Sequence, residues 1–339
     1  MSDEPINVTV SIDFSDELMA AIRAVSPRLH VERHFPKVPD RVWSKTEILY
    51  TMRQMPEPEK APRLRWMQLH FAGMDGVLDH PLMQVKKLDI TSVSGIHASQ
   101  IAEYCIMMML AFNYRLPTML KFQQQSIWKT RDDRREIFSN YELRGQTLGI
   151  VGYGSIGREL ARLAASMGMV VLASKRDLMQ LSDEGDYHEP GTGDVLGEIP
   201  ERIYPTQATA SMAQECDFLV LTLPLTSQTH HLINVEVLGA MKPTAMLMNI
   251  SRGAIVDEPA LIEALQENKI GGAALDVFEE EPLPKESPLW QMDNVIISPH
   301  ISGNSRRYHQ KAAAVFIENL HRYLDGLPLL NRLQREREY

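Results

Sequence analysis

The segment VGYGSIG, residues 151–157, constrains the fold more than any other part of the chain, because its three glycines follow the spacing G-x-G-x-x-G. The apolar run TLGIV leads into this segment, and the run SIGRELARLAASMG, with apolar residues at helical spacing, continues from it. A strand, a glycine turn and a helix in this order are typical of the first βαβ unit of a dinucleotide-binding domain. The alternative interpretation is a turn with a purely structural role.

Each position of this predicted glycine loop has a physical role. Gly152 permits the tight turn, Gly154 lets the backbone approach a pyrophosphate, and Gly157 lets the helix and the strand pack closely. The backbone amides near Ser155 and Ile156 then face the phosphates at the positive end of the helix. The pattern therefore predicts that these five residues bind a cofactor.

Alternating strand-like and helix-like runs predict an α/β protein with two domains. The first hundred residues alternate in this way, which favours a largely parallel sheet, and from Thr147 the alternation restarts as a doubly wound pattern. The chain has 339 residues. A single hydrophobic core rarely grows beyond roughly 250 to 300 residues, so two domains are expected.

Two helices are expected outside the doubly wound region. One runs from about Ala98 through Leu116 and is ended by Pro117. The other follows His300 and ends near Gly326. Because the second helix has no strand after it, we expect it to fold back onto the N-terminal domain.

Two polar segments interrupt the apolar pattern. Residues 177–207 are rich in glycine, proline and acids, and are expected to form a solvent-exposed excursion; a binding element is the alternative. The charged run RDDRRE, residues 131–136, is expected to be a solvated surface crossover.

Composition excludes several classes of function. A net charge of −9 argues against a protein that neutralises nucleic-acid phosphates or anionic lipid. The two cysteines, Cys105 and Cys216, lie in apolar stretches, and no Cys/His spacing indicates a metal site. With no signal-peptide pattern and no apolar run of membrane-spanning length, the chain is expected to be cytoplasmic and reduced.

The residues that follow the second strand of the doubly wound region indicate which cofactor is used. An NAD-specific site usually places an acid about twenty residues beyond the glycine loop, where it binds the ribose 2′-hydroxyl. Here that position reads Ser174, Lys175, Arg176. A hydroxyl and two cations suit a 2′-phosphate, so NADP(H) is preferred and NAD(H) is possible. The alternative is a solvated strand end.

Three further polar residues follow predicted strands, at the edge where open α/β sheets bind ligands. Arg252 lies in NISRGAIVDEPAL, Glu281 in GAALDVFEEEPLP and His300 in SPLWQMDNVIISPHISG. Each alone has an ordinary structural interpretation: an ion-pair partner, part of a solvated acidic run, or a histidine at a strand end. Together with the glycine loop they predict a catalytic site.

The order of these motifs resembles the D-isomer-specific 2-hydroxyacid dehydrogenase family. The resemblance extends from FAGMD, residues 71–75, through the glycine loop to PHISG, residues 299–303, and the closing helix. In that family the arginine of the SRG motif binds the substrate carboxylate. The glutamate of the D-V-F-x-x-E-P motif supports the catalytic histidine, and the histidine of the PH motif transfers the proton. The resemblance implies these roles for Arg252, Glu281 and His300.

The resemblance also implies contacts around these three residues. The loop residues Gly73 and Met74 would bind the substrate carboxylate through their backbone amides, with a structural turn as the alternative. The expected contacts of the nicotinamide and the adenosine ribose are Asp276, Asn249, Ile250, Ser251, Pro224 and Thr229. Trp290 either lines the substrate pocket or has an aromatic core role.

The resemblance implies an NADP-dependent oxidoreductase that transfers hydride between NADP(H) and a small 2-oxo or D-2-hydroxy acid. A Rossmann-type domain, residues 99–303, is expected to be inserted into a flavodoxin-like substrate domain, residues 1–98 and 304–339, with the active site in the interdomain cleft. A homodimer is also implied. The alternatives are a nucleotide-sensing corepressor and a dehydrogenase of formate or phosphite. The identity of the 2-oxo acid stays open.

Overall fold

Parallel strands form the sheets in both parts of the chain in the computed structural model, which describes residues 4–182 and 185–335. The contacts divide the described chain into two compact units. Unit 1 holds the residues up to Ile96, the segment Gly185–Glu189 and the residues from Ser305 onwards. Unit 2 holds the rest, beginning at His97 and ending at Asn304.

The helices and strands follow one another in a βα rhythm through most of the chain. The strands are β1 Ile6–Val10, β2 Leu29–Arg33, β3 Ile48–Thr51, β4 Trp66–Leu69, β5 Asp89–Thr91, β6 Thr147–Val151, β7 Val170–Lys175, β8 Arg202–Pro205, β9 Phe218–Leu221, β10 Met246–Asn249, β11 Gly272–Leu275 and β12 Val295–Ile297. The helices are α1 Asp16–Ala24, α2 Asp40–Trp43, α3 Ala98–Asn113, α4 Leu116–Gln124, α5 Arg131–Ile137, α6 Ser155–Ser166, α7 Thr209–Ala213, α8 Val235–Ala240, α9 Glu258–Gln266 and α10 Tyr308–Asp325.

Unit 1 is built on a five-stranded sheet in the order β2-β1-β3-β4-β5, with every pair parallel. This is the flavodoxin-like strand order. Helix α10 buries Ala313, Phe316 and Leu320 in one cluster with residues of β1 and β3. The C-terminal helix thus completes the core of the N-terminal strands, as its amphipathic pattern predicted. It ends at Gly326, which has a left-handed backbone.

Unit 2 is built on a seven-stranded parallel sheet in the order β12-β11-β10-β9-β6-β7-β8. Counted from β6, this is the dinucleotide-binding order 3-2-1-4-5-6 with a seventh strand added at one edge. The strands between its two edges, β6, β7, β9, β10 and β11, are buried on both faces, as in parallel sheets covered by helices. The predicted fold class, a doubly wound sheet with a flavodoxin-like partner, is confirmed.

One local prediction in the segment that joins the strands of the two sheets is wrong. The predicted helix from Ala98 ends at Asn113, because Arg115 takes a left-handed backbone with a φ of 50°. Pro117 does not end a helix but lies in the first turn of α4, where a proline costs no hydrogen bond. The predicted solvated surface at residues 131–136 is confirmed, since all six residues are exposed; they lie in helix α5, whose first turn is capped by the side chain of Thr130.

The prediction of a solvent-exposed excursion at residues 177–207 holds for most of its described residues but not for all of them. Residues Arg202–Pro205 form β8, which pairs with β7 at the edge of the sheet. Asp194 is only 8% exposed. Gly185–Glu189 belongs to unit 1, where the Tyr187 amide donates a hydrogen bond of 2.9 Å to the Asn331 side chain. The composition of this segment predicted solvent exposure, because composition cannot show which residues distant in the sequence its polar groups contact.

Helices of the described ranges are too short or too polar to cross a lipid bilayer.

Candidate active site

The polar residues singled out in unit 2 lie at one edge of its sheet. Strands β10, β11 and β12 are neighbours and parallel, so their carboxyl ends meet at the same edge. Arg252 follows β10, Glu281 follows β11 and His300 follows β12. The glycine loop follows β6 at that edge too. Ligands of open α/β sheets bind at this edge.

His300 and Glu281 form a hydrogen-bonded pair. The imidazole Nδ1 lies 2.8 Å from Glu281 Oε2, and the two side chains are 49% and 37% exposed. The other carboxylate oxygen of Glu281 accepts a 3.2 Å hydrogen bond from the backbone amide of Phe278. With both oxygens engaged, the carboxylate holds the ring by one nitrogen. Glu281 does not engage the second ring nitrogen, Nε2.

The backbone of His300 is itself held in an uncommon conformation. Its φ is 52°, in the left-handed region that few residues other than glycine adopt. Its amide donates to the carbonyl oxygen of Asp276 at 2.8 Å. The loop between β12 and the end of unit 2 thus fixes the direction in which the histidine leaves the chain.

Asp276 is fully buried beneath this loop and organises it. Its carboxylate accepts hydrogen bonds from the Ser298 hydroxyl at 2.5 Å, from the Ile301 amide at 2.9 Å and from the Ser302 amide at 2.8 Å. Tyr104 lies 2.6 Å from the same hydroxyl, and burial raises the pKa of this tyrosine to about 12. The sequence predicted a nicotinamide contact for Asp276, which stays a prediction. The support it gives to the histidine loop was not foreseen.

Arg252 leaves β10 through a turn that its neighbours tie down. The Asn249 side chain accepts from the Ser251 amide at 3.1 Å and donates to the Arg252 carbonyl oxygen at 2.8 Å. The Ser251 hydroxyl donates to Leu221 O of β9 at 2.8 Å. The guanidinium is half-buried and one of its nitrogens donates to the Ser251 carbonyl oxygen. Residues Asn249 to Ser251, including the buried Ile250, therefore hold the arginine, and their predicted contact with the cofactor stays a prediction.

Gly253, the next residue, shows why this turn needs a glycine. A Cβ placed there would lie 1.8 Å from the backbone carbon of Phe278 and 2.2 Å from the amide nitrogen of Glu279. The loops that carry Arg252 and Glu281 are thus in backbone contact. The SRG and D-V-F-x-x-E-P motifs are one packed unit.

The glycine loop has the geometry that a bound pyrophosphate needs. Gly152 has a φ of 100°, and a Cβ there would lie 2.8 Å from Leu223. A Cβ at Gly157 would lie 2.7 Å from the carbonyl oxygen of Gly152, so helix and strand pack as predicted. Among described atoms, nothing would lie within 4 Å of a Cβ at Gly154. Gly154 is also the N-cap of α6, and no described side chain accepts a hydrogen bond from the first turn of this helix. The first turn begins with Ser155 and Ile156. These features fit a phosphate.

The end of β7 presents cations where a cofactor 2′-phosphate would lie. Lys175 is half-buried and its ammonium lies 3.4 Å from the carbonyl oxygen of Leu181, and Arg176 is exposed. Ser174 is fully buried, and its hydroxyl has no hydrogen-bond partner among the described residues. The two cations fit a phosphate better than a ribose hydroxyl.

The remaining predicted residues lie in local turns. The Thr229 hydroxyl donates to the carbonyl oxygen of Pro224 at 2.7 Å, which closes the turn after β9. Gly73 and Met74 follow β4 in unit 1, with Gly73 exposed and Met74 buried. Trp290 of unit 2 is about half-exposed and donates to the carbonyl oxygen of Pro284, so it is not a core residue. Their roles toward substrate and cofactor stay predictions.

A doubly wound sheet with this glycine loop, and with a hydrogen-bonded histidine–glutamate pair at the same edge, is typical of a nicotinamide-dependent oxidoreductase. A family model described as D-isomer specific 2-hydroxyacid dehydrogenase, NAD binding domain, matches residues 106–302. The chain therefore belongs to the D-isomer specific 2-hydroxyacid dehydrogenase family. It is an NAD(P)-dependent oxidoreductase of 2-hydroxyacids, as the resemblance predicted.

Relatives and solved structures agree with this family. The chain is 35% identical over 272 residues to a glyoxylate reductase of Thermococcus onnurineus (strain NA1), covering 79% of this chain and 75% of that protein. It is similar in structure to a D-isomer specific 2-hydroxyacid dehydrogenase family protein of Aeromonas salmonicida, with a TM-score of 0.76, 30% identity and coverage of 98% and 99% of the two chains. A 2-hydroxyacid dehydrogenase of Xanthobacter autotrophicus, solved with NADPH and MES, has a TM-score of 0.78, 25% identity and coverage of 99% and 100%.

Proposed function

We propose that this protein reduces a small 2-oxo acid to the D-2-hydroxy acid with NADPH. Arg252 binds the substrate carboxylate, and His300 supported by Glu281 acts as the acid and base. The observation that carries the proposal is the 2.8 Å contact between His300 Nδ1 and Glu281 Oε2. That pair lies at the sheet edge that also carries Arg252 and the glycine loop.

The chemistry required of the side chains is one proton transfer and the binding of one carboxylate. When bound at the glycine loop, the nicotinamide cofactor would supply the hydride that the carbonyl carbon gains. The carbonyl oxygen gains a proton from His300 Nε2, while Nδ1 keeps its hydrogen bond to Glu281. In the reverse direction, neutral Nε2 accepts the proton of the substrate hydroxyl. Glu281 stabilises the imidazolium and fixes the orientation of the ring, as the aspartate of a Ser-His-Asp triad does for its histidine.

Arg252 suits the carboxylate because a guanidinium offers two parallel N–H donors in one plane. Held this way, the 2-oxo acid has its carbonyl carbon in a defined place beside the acid. Gly73 and Met74 of unit 1 are further predicted contacts of the carboxylate, through their amides.

The preference for NADPH is supported by charge. Lys175 and Arg176 follow one another at the end of β7, where an acidic residue would favour NADH. The Xanthobacter autotrophicus relative was solved with NADPH. We propose NADPH as the better substrate and NADH as a weaker one.

Glyoxylate is our first candidate for the 2-oxo acid. The Thermococcus onnurineus relative and another of Korarchaeum cryptofilum, 33% identical over 262 residues that span 77% of this chain and 74% of that one, are both named glyoxylate reductase. Hydroxypyruvate and pyruvate share its carboxylate and adjacent carbonyl, which are the groups that Arg252 and His300 would contact.

A homodimer is the proposed assembly. Unit 2 exposes a group of large apolar side chains on α4 and in the segment after it, and contiguous exposed apolar surface usually marks an interface. The group consists of Leu116, Met119, Leu120, Ile127 and Trp128. Trp128 is 87% exposed. We call this group the apolar patch and propose that a second copy of the chain covers it.

A substrate panel tests the proposed reaction. Glyoxylate, hydroxypyruvate, pyruvate, a branched and an aromatic 2-oxo acid are each mixed with NADPH or NADH, and the loss of reduced nicotinamide absorbance is followed. We expect turnover with at least one of the small acids, a higher kcat/KM with NADPH, and D-lactate from pyruvate. Nucleotide binding without turnover of any acid in the panel would contradict the enzymatic proposal and favour a regulatory protein.

A further inference from the structure

The parts of the excursion that belong to unit 2, at Leu181 and from Gly193 to Ile199, are attached to the glycine-loop side of that unit by buried polar side chains that the proposed reaction does not use. They are Tyr153 of the glycine loop, Arg158 and Glu159 of α6, and Asp194 of the excursion, and all four are buried. Buried charges are costly unless each is paired and hydrogen-bonded. We call these four residues the polar clamp.

Asp194 is the centre of the polar clamp. Its Oδ2 accepts the Tyr153 hydroxyl proton at 2.6 Å and the Ile199 amide at 3.0 Å. Its Oδ1 accepts the amides of Gly197 and Glu198, each at 3.1 Å. Burial alone would raise the pKa of Asp194, but the hydrogen bonds from Tyr153 and these amides outweigh it and hold the pKa below its usual value. The carboxylate is therefore charged at neutral pH while it shapes its own turn and holds Tyr153.

Arg158 joins the same parts from the helix side. Its guanidinium donates to the carbonyl oxygens of Asp194 and Leu181, and lies 4.9 Å from the centre of the Tyr153 ring. The Leu181 carbonyl oxygen is also the acceptor for Lys175 at 3.4 Å. One arginine thus contacts the excursion at two places and the glycine loop at a third.

Glu159 gives a further attachment. Its carboxylate accepts hydrogen bonds from the Gly193 amide at 2.7 Å and from two nitrogens of Arg162, Nη2 at 2.7 Å and Nε at 2.8 Å. Two consecutive residues of the excursion are therefore bound to α6: Gly193 by Glu159, and Asp194 by Arg158.

Tyr153 lies inside the loop that is expected to bind the pyrophosphate, between Gly152 and Gly154. Its amide donates to the Ser174 carbonyl oxygen at 3.0 Å, and its hydroxyl is held by Asp194. Glycines make a loop adaptable but leave it many alternative shapes. A tyrosine fastened at both its amide and its hydroxyl removes most of those shapes before the ligand arrives, which improves affinity.

We propose that the excursion is a positioning element for the cofactor: Asp194 and Arg158 hold Tyr153, and through it hold the glycine loop in the shape that binds the dinucleotide pyrophosphate. These are positioning residues, since their contacts reach the cofactor only through the loop. The inference rests on one part of the proposed function, the binding of a nicotinamide dinucleotide by unit 2.

The test uses two variants of the full chain, Asp194→Asn and Tyr153→Phe. Direct titration of NADPH and of NADH, followed by nicotinamide fluorescence, gives the Kd without any 2-oxo acid. We expect both Kd values to rise roughly tenfold, since a hydrogen bond to a charged group is lost. The factor should be similar for the two nucleotides because the pyrophosphate is common to both. At saturating NADPH, kcat of Asp194→Asn should stay within about twofold of the wild-type value, because Asp194 contacts the glycine loop only through Tyr153. The double variant should lose little more than either single variant.

The matched control is Glu198→Gln, which removes one negative charge from the same segment at an exposed side chain. It should leave both Kd values unchanged. A lower melting temperature with unchanged Kd values in the variants would overturn the proposal, because the polar clamp would then serve stability alone. A rise in the Kd for NADPH alone would overturn the proposal, because the pyrophosphate is common to both nucleotides and the effect would then arise elsewhere. If Asp194→Asn does not fold, Tyr153→Phe, which deletes one hydroxyl, decides the question.

The outcome is separable from that of the proposed function. If the wild type binds nucleotide but reduces no 2-oxo acid, the proposed reaction fails while the Kd comparison still stands. If the wild type turns over and the variants bind as it does, only the positioning role fails. If the wild type binds neither nucleotide, both proposals are wrong.

Discussion

In the proposed mechanism the two nitrogens of the His300 ring have separate tasks. Nδ1 contacts Glu281, which leaves Nε2 for the substrate oxygen. A second pair, His231 Nε2 with Glu279 Oε1, has the same 2.8 Å separation. The two pairs differ in which nitrogen the carboxylate engages and in the strand that each histidine follows, so a short histidine–glutamate contact alone does not identify the catalytic pair.

His300→Gln is expected to lower kcat by about 10² to 10⁴, the usual contribution of a positioned acid or base. The Kd for NADPH, measured by fluorescence titration, should stay within about twofold, since the glycine loop is untouched. His231→Gln is the matched control, because it removes the other histidine of a 2.8 Å histidine–glutamate pair. Near-normal turnover in His300→Gln, or an equal loss in both variants, would remove His300 from the mechanism.

Replacement of both Lys175 and Arg176 by alanine is expected to change cofactor preference. Loss of two charge-assisted contacts to a 2′-phosphate should lower kcat/KM for NADPH by roughly 10- to 100-fold, with little change for NADH. The measurement is the ratio of the two kcat/KM values. Arg131→Ala on the exposed helix α5 controls for a general loss of positive charge. An unchanged ratio would mean that these cations form only a strand end.

Sequence alone indicated the residues whose motifs are local. Arg252, Glu281 and His300 each lie a few residues after an apolar run, so the strand and its polar end could be read together. Asp194 could not be found in this way. It lies in a stretch of glycine, proline and acids, and its partners Tyr153 and Arg158 are 41 and 36 positions away in the chain. Only the folded chain shows that this acid is buried.

At the scale of secondary-structure elements, neighbouring loops are held together by backbone contact at the sheet edge. The turn after β10 and the loop after β11 touch at Gly253, where the Phe278 backbone occupies the space of a side chain. A displacement of one loop relative to the other would therefore change the distance between Arg252 and Glu281. The long apolar strands were predictable because their burial is continuous. The edge strand β8, with Arg202 and Pro205, was not, since one polar four-residue strand has no such signal.

Gly253→Ala is expected to damage both stability and substrate binding. A Cβ 1.8 Å from a backbone carbon forces the two loops apart, which should cost about 3 kcal/mol or more in the free energy of unfolding. The same displacement should raise KM for the 2-oxo acid. Thermal unfolding and steady-state kinetics measure the two effects.

The control for that substitution is Gly239→Ala in α8, where a Cβ would meet no described atom within 4 Å. Alanine is favoured over glycine in a helix by up to about 1 kcal/mol, so this variant should be equally or more stable. If Gly253→Ala behaved like Gly239→Ala, the contact between the two loops would not be a constraint on the site.

At the scale of the whole molecule, the two units repeat one structural rule with different strand orders. Both sheets are wholly parallel, and in both the residues of interest follow strands: FAGMD after β4 in unit 1, and the glycine loop, Arg252 and His300 in unit 2. The alternation of apolar runs predicted this architecture. It did not predict that Gly185–Glu189 belongs to unit 1, because that assignment depends on contacts such as the Tyr187–Asn331 hydrogen bond.

The apolar patch of unit 2 bears on the assembly of the protein. Trp128 is 87% exposed, and it lines one surface groove together with Met119 and Ile127, which are exposed as well. A charged side chain buried without a partner at an interface is strongly unfavourable, so Trp128→Asp is expected to convert a dimer to a monomer. Light scattering after size-exclusion chromatography should give twice the chain mass for the wild type and the chain mass for the variant.

Val235→Asp is the control for this effect, because Val235 is an exposed apolar residue in the first turn of α8, outside the apolar patch, where an acid suits the helix. It should keep the mass of the wild type. Because Trp128→Asp is expected to disrupt the interface and not the fold, its circular dichroism spectrum should match that of the wild type. A wild-type protein that is monomeric at every concentration would refute the proposed homodimer. A dimer that survives Trp128→Asp would place the interface on a different surface of the chain.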